Sequence, residues 1–321
     1  MKRTIIFVSI VAGLIIFSKP VYYDDVNRVL DELYSQNYEK ALILADSTGQ
    51  KHEKPIVSDF LKAGIYSTYM SDFETDTLWD SLKKYSERVI KKHDSKVPYD
   101  VFFAGGAYLY RTYFYVAKND YNNTITNGMN ALKHFNRAVS LDSMLYDGYL
   151  GRGIVNYFID KFKDRVPFMS PSGDGIREIA LAADSGLFTK IPAMDVLAIL
   201  YSMDKRTEES ESISVFLRKN WPENRMFMFT HIKNLLEAKK HGEAVVELEN
   251  LKANLELNQR KTYVNLAYAY YHLSELYNKL GNEKSREENL SKLLKLKLLT
   301  DNKKALKWVK KGEQLKKKTR E

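Results

Sequence analysis

Residues 194–222 read MDVLAILYSMDKRTEESESISVFLRKNWP, and this stretch decides the fold. Met194, Leu197, Ala198 and Tyr201 recur at the three- and four-residue spacing of one helical face, and Ser210 and Leu217 continue on a second helix that ends at Pro222. The same pattern returns one period away on either side. Ile176, Ser210 and Ala244 are each 34 residues apart, Met228 and Leu235 open the following unit, and Ala183 belongs to the preceding one. A period of that length marks stacked helical hairpins, because a single hairpin cannot bury its apolar face alone.

Other units keep half of the pattern. Ala131, Phe135, Ala138 and Ser143 reproduce a second helix and its terminal turn, and Tyr149 and Gly153 open the unit after it. Tyr270, Leu273, Ser274, Tyr277 and Gly281 form a first helix and turn, followed by Leu290 and Leu293. Near the start, Tyr38 to Ala41 with Leu44 and Ala45 match a turn and second helix, whereas residues 60–90 join the array only by continuity. Large, Leu, Gly or Ala, then Tyr on one helix, with Ala, Phe, Ala and Pro around the next, resembles the tetratricopeptide repeat (TPR). The resemblance covers roughly residues 26 to 300 and is to bacterial exported proteins of that kind. It implies an all-α, TPR-like helical-hairpin solenoid, an α-α superhelix whose small residues let paired helices approach and whose large ones fill the space between hairpins.

Composition agrees. Of 321 residues 44% are hydrophobic and 28% charged, and only 7 Pro and 15 Gly interrupt runs of good helix formers. The net charge of +9 is not spread evenly: residues 303–321 account for +7, leaving +2 for the rest. A long nucleic-acid groove is therefore not expected, and contact with an anionic membrane is confined to the basic C-terminus. There is no cysteine, which excludes disulfides, thiol catalysis, Cys-ligated zinc and a lipid-modified cysteine.

Lys2 and Arg3 precede fourteen uncharged residues, Thr4 to Phe17. As a helix this stretch spans about 21 Å, short of a hydrocarbon layer of about 30 Å. It has the form of an export signal, cleaved or kept as an anchor. Three regions follow: 1–20 as signal peptide or N-terminal membrane anchor, 21–302 as repeat domain, and 303–321 as a basic capping helix with Leu306, Trp308 and Val309 among lysines. The chain is expected in the periplasm or attached to the inner membrane.

Two segments depart from the repeat. Counting from Tyr149, the next marker is due near Arg165 but stands at Ile176, an insertion covering Lys161 to Gly175. Its Pro and Gly make a loop, while Val166, Phe168 and Met169 are apolar enough either to fold back on the array or to meet a partner. The second departure is a long aromatic-rich helix, Tyr99 to Tyr115, with Gly105-Gly106 in its middle at a cost of about 1 kcal/mol each. Close approach of a neighbouring backbone, or the wall of an aromatic pocket, accounts for them. Tyr108 and Arg111 lie on this helix, and Asp147 is the candidate partner of Arg111; anion binding is the other reading.

The stretch from Gly105-Gly106-Ala107-Tyr108, through Ala131 to Ala138 and Leu141-Asp142, to Tyr149-Leu150-Gly151 resembles more narrowly the T-component proteins of TRAP-type transporters, periplasmic helical repeats associated with a solute-binding subunit. TPR geometry implies a concave groove lined by first helices. On this chain the groove takes in Leu150, Ile154, Tyr157 and Phe158, then Ile199 and Met203, then Met226, Phe229 and Lys233, then Tyr268, Tyr271 and Asn278. So apolar a lining suits an amphipathic helix or lipid-like solute; part of the stripe reads equally as core.

None of His52, His93, His134, His231, His241 and His272 shows metal-ligand spacing, and no phosphate, dinucleotide or nucleophile-elbow motif occurs. Gly151-Arg152-Gly153 lies on a repeat helix and reads as packing. The expectation is a non-catalytic protein-interaction scaffold of the cell envelope without cofactor or metal, binding an envelope protein. The alternative is an apolar small-molecule or lipid-binding accessory of a solute transporter.

Overall fold

The computed structural model describes residues 19–164, 170–258 and 262–318. The export-like segment up to residue 18, and Val166, Phe168 and Met169 of the insertion, lie outside the described residues. Within them the chain is all-α and built of helical hairpins. These are α1 (Tyr23–Tyr34) with α2 (Tyr38–Lys51), α3 (Pro55–Asp72) with α4 (Trp79–Lys92), α5 (Pro98–Ala117) with α6 (Tyr121–Leu141), and α7 (Tyr146–Lys161) with α8 (Gly175–Ser185). The array continues with α9 (Lys190–Met203) and α10 (Thr207–Asn220), α11 (Arg225–Glu237) and α12 (His241–Leu257), α13 (Tyr263–Lys279) and α14 (Glu283–Lys295), and a last helix, α15 (Lys303–Lys318). The region that kept little of the pattern, residues 60–90, is the hairpin α3/α4 and is as regular as the rest. No described helix is long and apolar enough to cross a membrane.

Local chemistry explains where these helices start and turn. Proline stands in the first turn of α3 and α5, where its missing N–H costs nothing. Side-chain caps come from Asp120, Asp174, Asn224 and Asn282, each accepting a backbone N–H of the following turn. Several hairpins close through one residue in the left-handed region: Gln36, Glu74, Asn119, Lys205, Lys239 and Gly281. Lys205 and Lys239 are one period apart, so the repeat extends to backbone conformation.

Small residues sit where helices press together. A side chain at Gly105 would meet the Phe135 ring at 2.8 Å, one at Gly106 the Phe60 ring at 2.6 Å, and one at Gly151 Phe135 at 2.1 Å. Gly153 and Gly175 face each other so closely that a Cβ on either would lie 2.6 Å from the other's carbonyl oxygen. Gly105-Gly106 and Gly151-Arg152-Gly153 are packing devices, and α5 is buried from Val101 to Ala107 and again at Leu109.

Among the described residues the core has two large clusters, one from Tyr22 to Leu200 and one from Met228 to Val309, and a small third one of Ala63, Met70 and Leu82 between α3 and α4. A buried polar layer lies between the two large ones. Ser210 donates to the Ala198 carbonyl at 2.5 Å and lies 2.8 Å from Asn234 Oδ1, and the Asn234 amide donates to Ser214 at 3.0 Å. Ser214 also lies 3.1 Å from Nδ1 of His231, whose pKa burial lowers.

The array winds until α11 returns to its own beginning. Arg225, at the start of α11, forms a two-pronged ion pair with Asp72 at the end of α3; Nε donates to Oδ1 at 2.8 Å and Nη2 to Oδ2. Both side chains are buried. Tyr38 donates to the same carboxylate at 2.8 Å, Nη1 of Arg225 donates to Asn254 at 3.0 Å, and Asn265 holds the Asp72 carbonyl at 2.9 Å. Beside this clasp the Asn224 amide donates to the Tyr34 carbonyl at 2.7 Å, and the Tyr34 and Trp221 rings meet edge to face at 5.5 Å.

Two outcomes follow. Replacing exposed Lys205 by Gly relieves the left-handed backbone and stabilises the protein by about 0.5–1 kcal/mol, read from the urea midpoint. Arg225→Ala leaves Asp72 buried without its ion-pair partner, costs about 3–5 kcal/mol, and speeds amide exchange in α1 and α3 first.

Candidate functional site

Because the array closes on itself, the concave side is not an open groove. The odd-numbered helices α1 to α11 surround a cavity of about 310 Å³. Val29, Leu33 and Tyr34 enter from α1, Phe60, Gly64 and Thr68 from α3, and Phe103, Gly106, Tyr110 and Tyr113 from α5. Leu150 and Ile154 come from α7, Pro192, Asp195 and Val196 from α9, and Met226 and Phe227 from α11. Of its large apolar side chains only Tyr113 is well exposed, at 40%, which marks the mouth.

The polar side chains of the wall are mostly hydroxyls, among them Ser67, Thr68 and Ser71 of α3, and burial shifts the acidity of several of its titratable groups. Desolvation pushes the Tyr113 hydroxyl up to about 12 and raises those of Tyr34 and Tyr110 further. Asp195 accepts one hydrogen bond, from the Thr230 hydroxyl at 2.9 Å, and burial pushes its carboxyl up to about 6. Asp147 is saturated instead. It accepts from the N–H groups of Phe188 and Thr189 at 2.8 and 2.9 Å, the Thr189 hydroxyl at 2.8 Å and the Tyr99 hydroxyl at 3.1 Å.

The residues projected onto a single groove therefore divide. Leu150 and Ile154 are chamber wall, while Ile199 is half-buried further along α9. Tyr157 is buried and donates to Asp204 at 3.0 Å; Lys161 reaches the same oxygen at 2.7 Å and holds that carboxyl below its ordinary range. Beside them Phe158 and Met203 are 39% and 40% exposed, and Phe158 stacks on Phe162 with ring centroids 6.1 Å apart. The C-terminal ends of α7 and α9 thus form an apolar lip. Phe229, Tyr268 and Tyr271 are half-buried; α15 lies over them, setting Trp308 against Tyr268 at 5.4 Å and Tyr271 at 5.2 Å, with Phe229 against Tyr268 at 5.4 Å. The two readings left open for the stripe, binding groove and core, thus fall on different parts of it: wrapping makes one part chamber wall, α15 covers another, and Phe158 and Met203 stay exposed.

A second correction concerns Arg111. Asp147 is not its partner, having four other donors, and Arg111 Nε is buried without a hydrogen bond among the described residues. Tyr108 faces away from the chamber, its ring 5.2 Å from His134, which itself meets His93 at 5.3 Å. Of the insertion, Ser172 is tied to the array through Asn156 at 3.0 Å, and Asn156 donates to buried Glu178 at 2.9 Å. Among the described residues no group of three or more His, Cys, Asp or Glu could hold a metal ion. Sequence reading passed over Asp195 and Tyr110. Neither belongs to a motif, although an acid amid the run Met194 to Leu200 is a legible anomaly.

No known family model matches the chain, and no curated protein does. Solved structures with a similar trace include PilW, a widely conserved type IV pilus biogenesis factor, at 12% identity and a TM-score of 0.42 over 89% of this chain and 98% of that one. A tetratricopeptide repeat protein from Parabacteroides merdae gives 11% identity and a TM-score of 0.43 over 91% and 98%. The C-terminal part of a TPR repeat-containing protein from Cytophaga hutchinsonii gives 16% and 0.44 over 88% and 99%.

Asp195 links stability to pH. Its folded pKa lies above the ordinary 3.8, so the folded state holds more protons between about 4 and 6 and stability falls as pH rises through that window. Asp195→Asn therefore stabilises above pH 6, on the order of 1–3 kcal/mol, with the gain vanishing towards pH 4; urea unfolding across this range measures it.

Proposed function

We propose that this chain is a non-catalytic protein-interaction scaffold of the bacterial cell envelope, which meets its partner at the lip where α7 and α9 end. One observation carries the reading: Phe158 and Met203 are exposed on first helices of a hairpin array, next to the Lys161–Asp204 ion pair. Apolar side chains framed by charge are the usual anatomy of an interaction patch. The inserted segment leaves α7 at this lip, and its Phe168 and Met169 would add to the contact. Export is supported by Lys2 and Arg3 before the uncharged stretch Thr4 to Phe17. The basic residues from Lys303 onwards, on the capping helix, would meet anionic lipid.

The enclosed chamber favours a second reading, a binding site for an apolar small molecule, as in an accessory of a solute transporter. A cavity of about 310 Å³ with its mouth at Tyr113 stands at the lower end of the range for small-molecule sites, about 300–1,000 Å³, and is too small for a partner helix.

A photo-crosslinking residue at Phe158, in cells that make the protein naturally, is expected to capture one discrete protein of the envelope fraction. The same residue at Val246, exposed at 60% on the outer helix α12, is the control. Equal capture at both positions, or none at Phe158, would refute the lip as the partner site.

A further inference from the structure

The chamber wall is chemically one-sided. It contains two carboxyl groups, Asp147 and Asp195, and no Lys, Arg or His among the described lining residues. Asp147 is saturated by its four donors, but Asp195 is not: Oδ1 takes the Thr230 hydroxyl and Oδ2 has no hydrogen bond among the described residues. The cations nearest along α11 are engaged elsewhere, Arg225 with Asp72 and Lys233 with Glu237. The hydroxyls of Tyr34, Tyr110 and Tyr113 likewise have no described hydrogen-bond partner. A carboxylate left unpaired in an apolar cavity carries a large desolvation cost, and a cation brought in by a ligand removes it. Aromatic faces in the wall attract that same cation.

We infer that the chamber binds an apolar molecule bearing one protonated amine, with the ammonium on Asp195 and the hydrocarbon against Leu33, Phe60, Phe103, Leu150 and Ile154. The inference rests on the small-molecule reading of the chamber and narrows it to a charge class. A fatty carboxylate fits the same space poorly, because it meets Asp195 as a like charge and finds no cation. The volume suits a medium-chain alkylamine and not a two-chain lipid.

Calorimetric titration of the full chain at pH 7.5 with octylamine, octanol and octanoate, each below its aggregation concentration, tests this. Octylamine is expected to bind on the order of tenfold tighter than octanol, with octanoate weakest. Asp195→Asn, which keeps shape and the Thr230 hydrogen bond, brings octylamine down to the level of octanol. Val196→Phe, which narrows the chamber with Asp195 intact, weakens all three, with circular dichroism confirming both variants folded. If octylamine and octanol bind the unmodified chain equally, or Asp195→Asn leaves the preference unchanged, the amine assignment is overturned and the apolar chamber stands. Failure of all three to bind overturns both, as does binding that Val196→Phe does not change, since that is adsorption outside the chamber.

Discussion

The buried ion pair between Arg225 and Asp72 joins residues 153 apart and holds the array in a closed turn. Desolvating a guanidinium and a carboxylate is costly, and the cost is met only because each is multiply bonded, Asp72 by Tyr38 and Arg225 by Asn254. Such a pair contributes specificity more than net stability: of the ways a flexible stack of hairpins can curve, it selects the one in which α11 abuts α3. The chamber follows from that choice. The Asn224–Tyr34 hydrogen bond and the Tyr34 ring contacts with Trp221 and Phe227 act beside the ion pair, and together they bring the walls given by α1 and α11 face to face.

Enclosure changes the chemistry of residues that would otherwise be unremarkable. Asp195 on an open groove would be a solvated carboxylate. Facing the chamber, it loses water without gaining a charge partner, so its carboxyl rises to about 6. Asp147 shows the contrast within the same wall. Four donors surround it, and its role is to fix the α8–α9 turn to α7. Two aspartates in one cavity thus do different work, decided by the donors around each.

Much of the architecture was legible beforehand because hairpin packing is local. The 34-residue period from Ile176 through Ser210 to Ala244 arises from contacts within and between adjacent units, so each unit repeats the same small and large residues. The glycines on α5 and α7 were readable for a similar reason, since a helical glycine amid large side chains signals close approach. Residues 60–90 were harder: Ala63, Gly64 and Ser86 are buried there as small residues, but the aromatics Tyr66, Trp79 and Tyr85 packed around Ala63, Met70 and Leu82 mask the repeat pattern.

The site was far less legible. Sequence spacing determined that Leu150, Ile154, Phe158 and Met203 lie on first helices of a hairpin array, because a period of 34 and a helical repeat of 3.6 fix the face of each. It could not determine which of them face solvent, since that depends on how many degrees each hairpin rotates on the last, a small angle that accumulates along the array. Only the tertiary structure decided that the turn closes at Arg225 and Asp72, that Leu150 and Ile154 become the wall of a chamber while Phe158 and Met203 stay exposed at the ends of α7 and α9, and that α15 covers Tyr268 and Tyr271. Long-range closure leaves no periodic trace in a sequence, because one arginine and one aspartate far apart look like any other pair of charges until the chain brings them together.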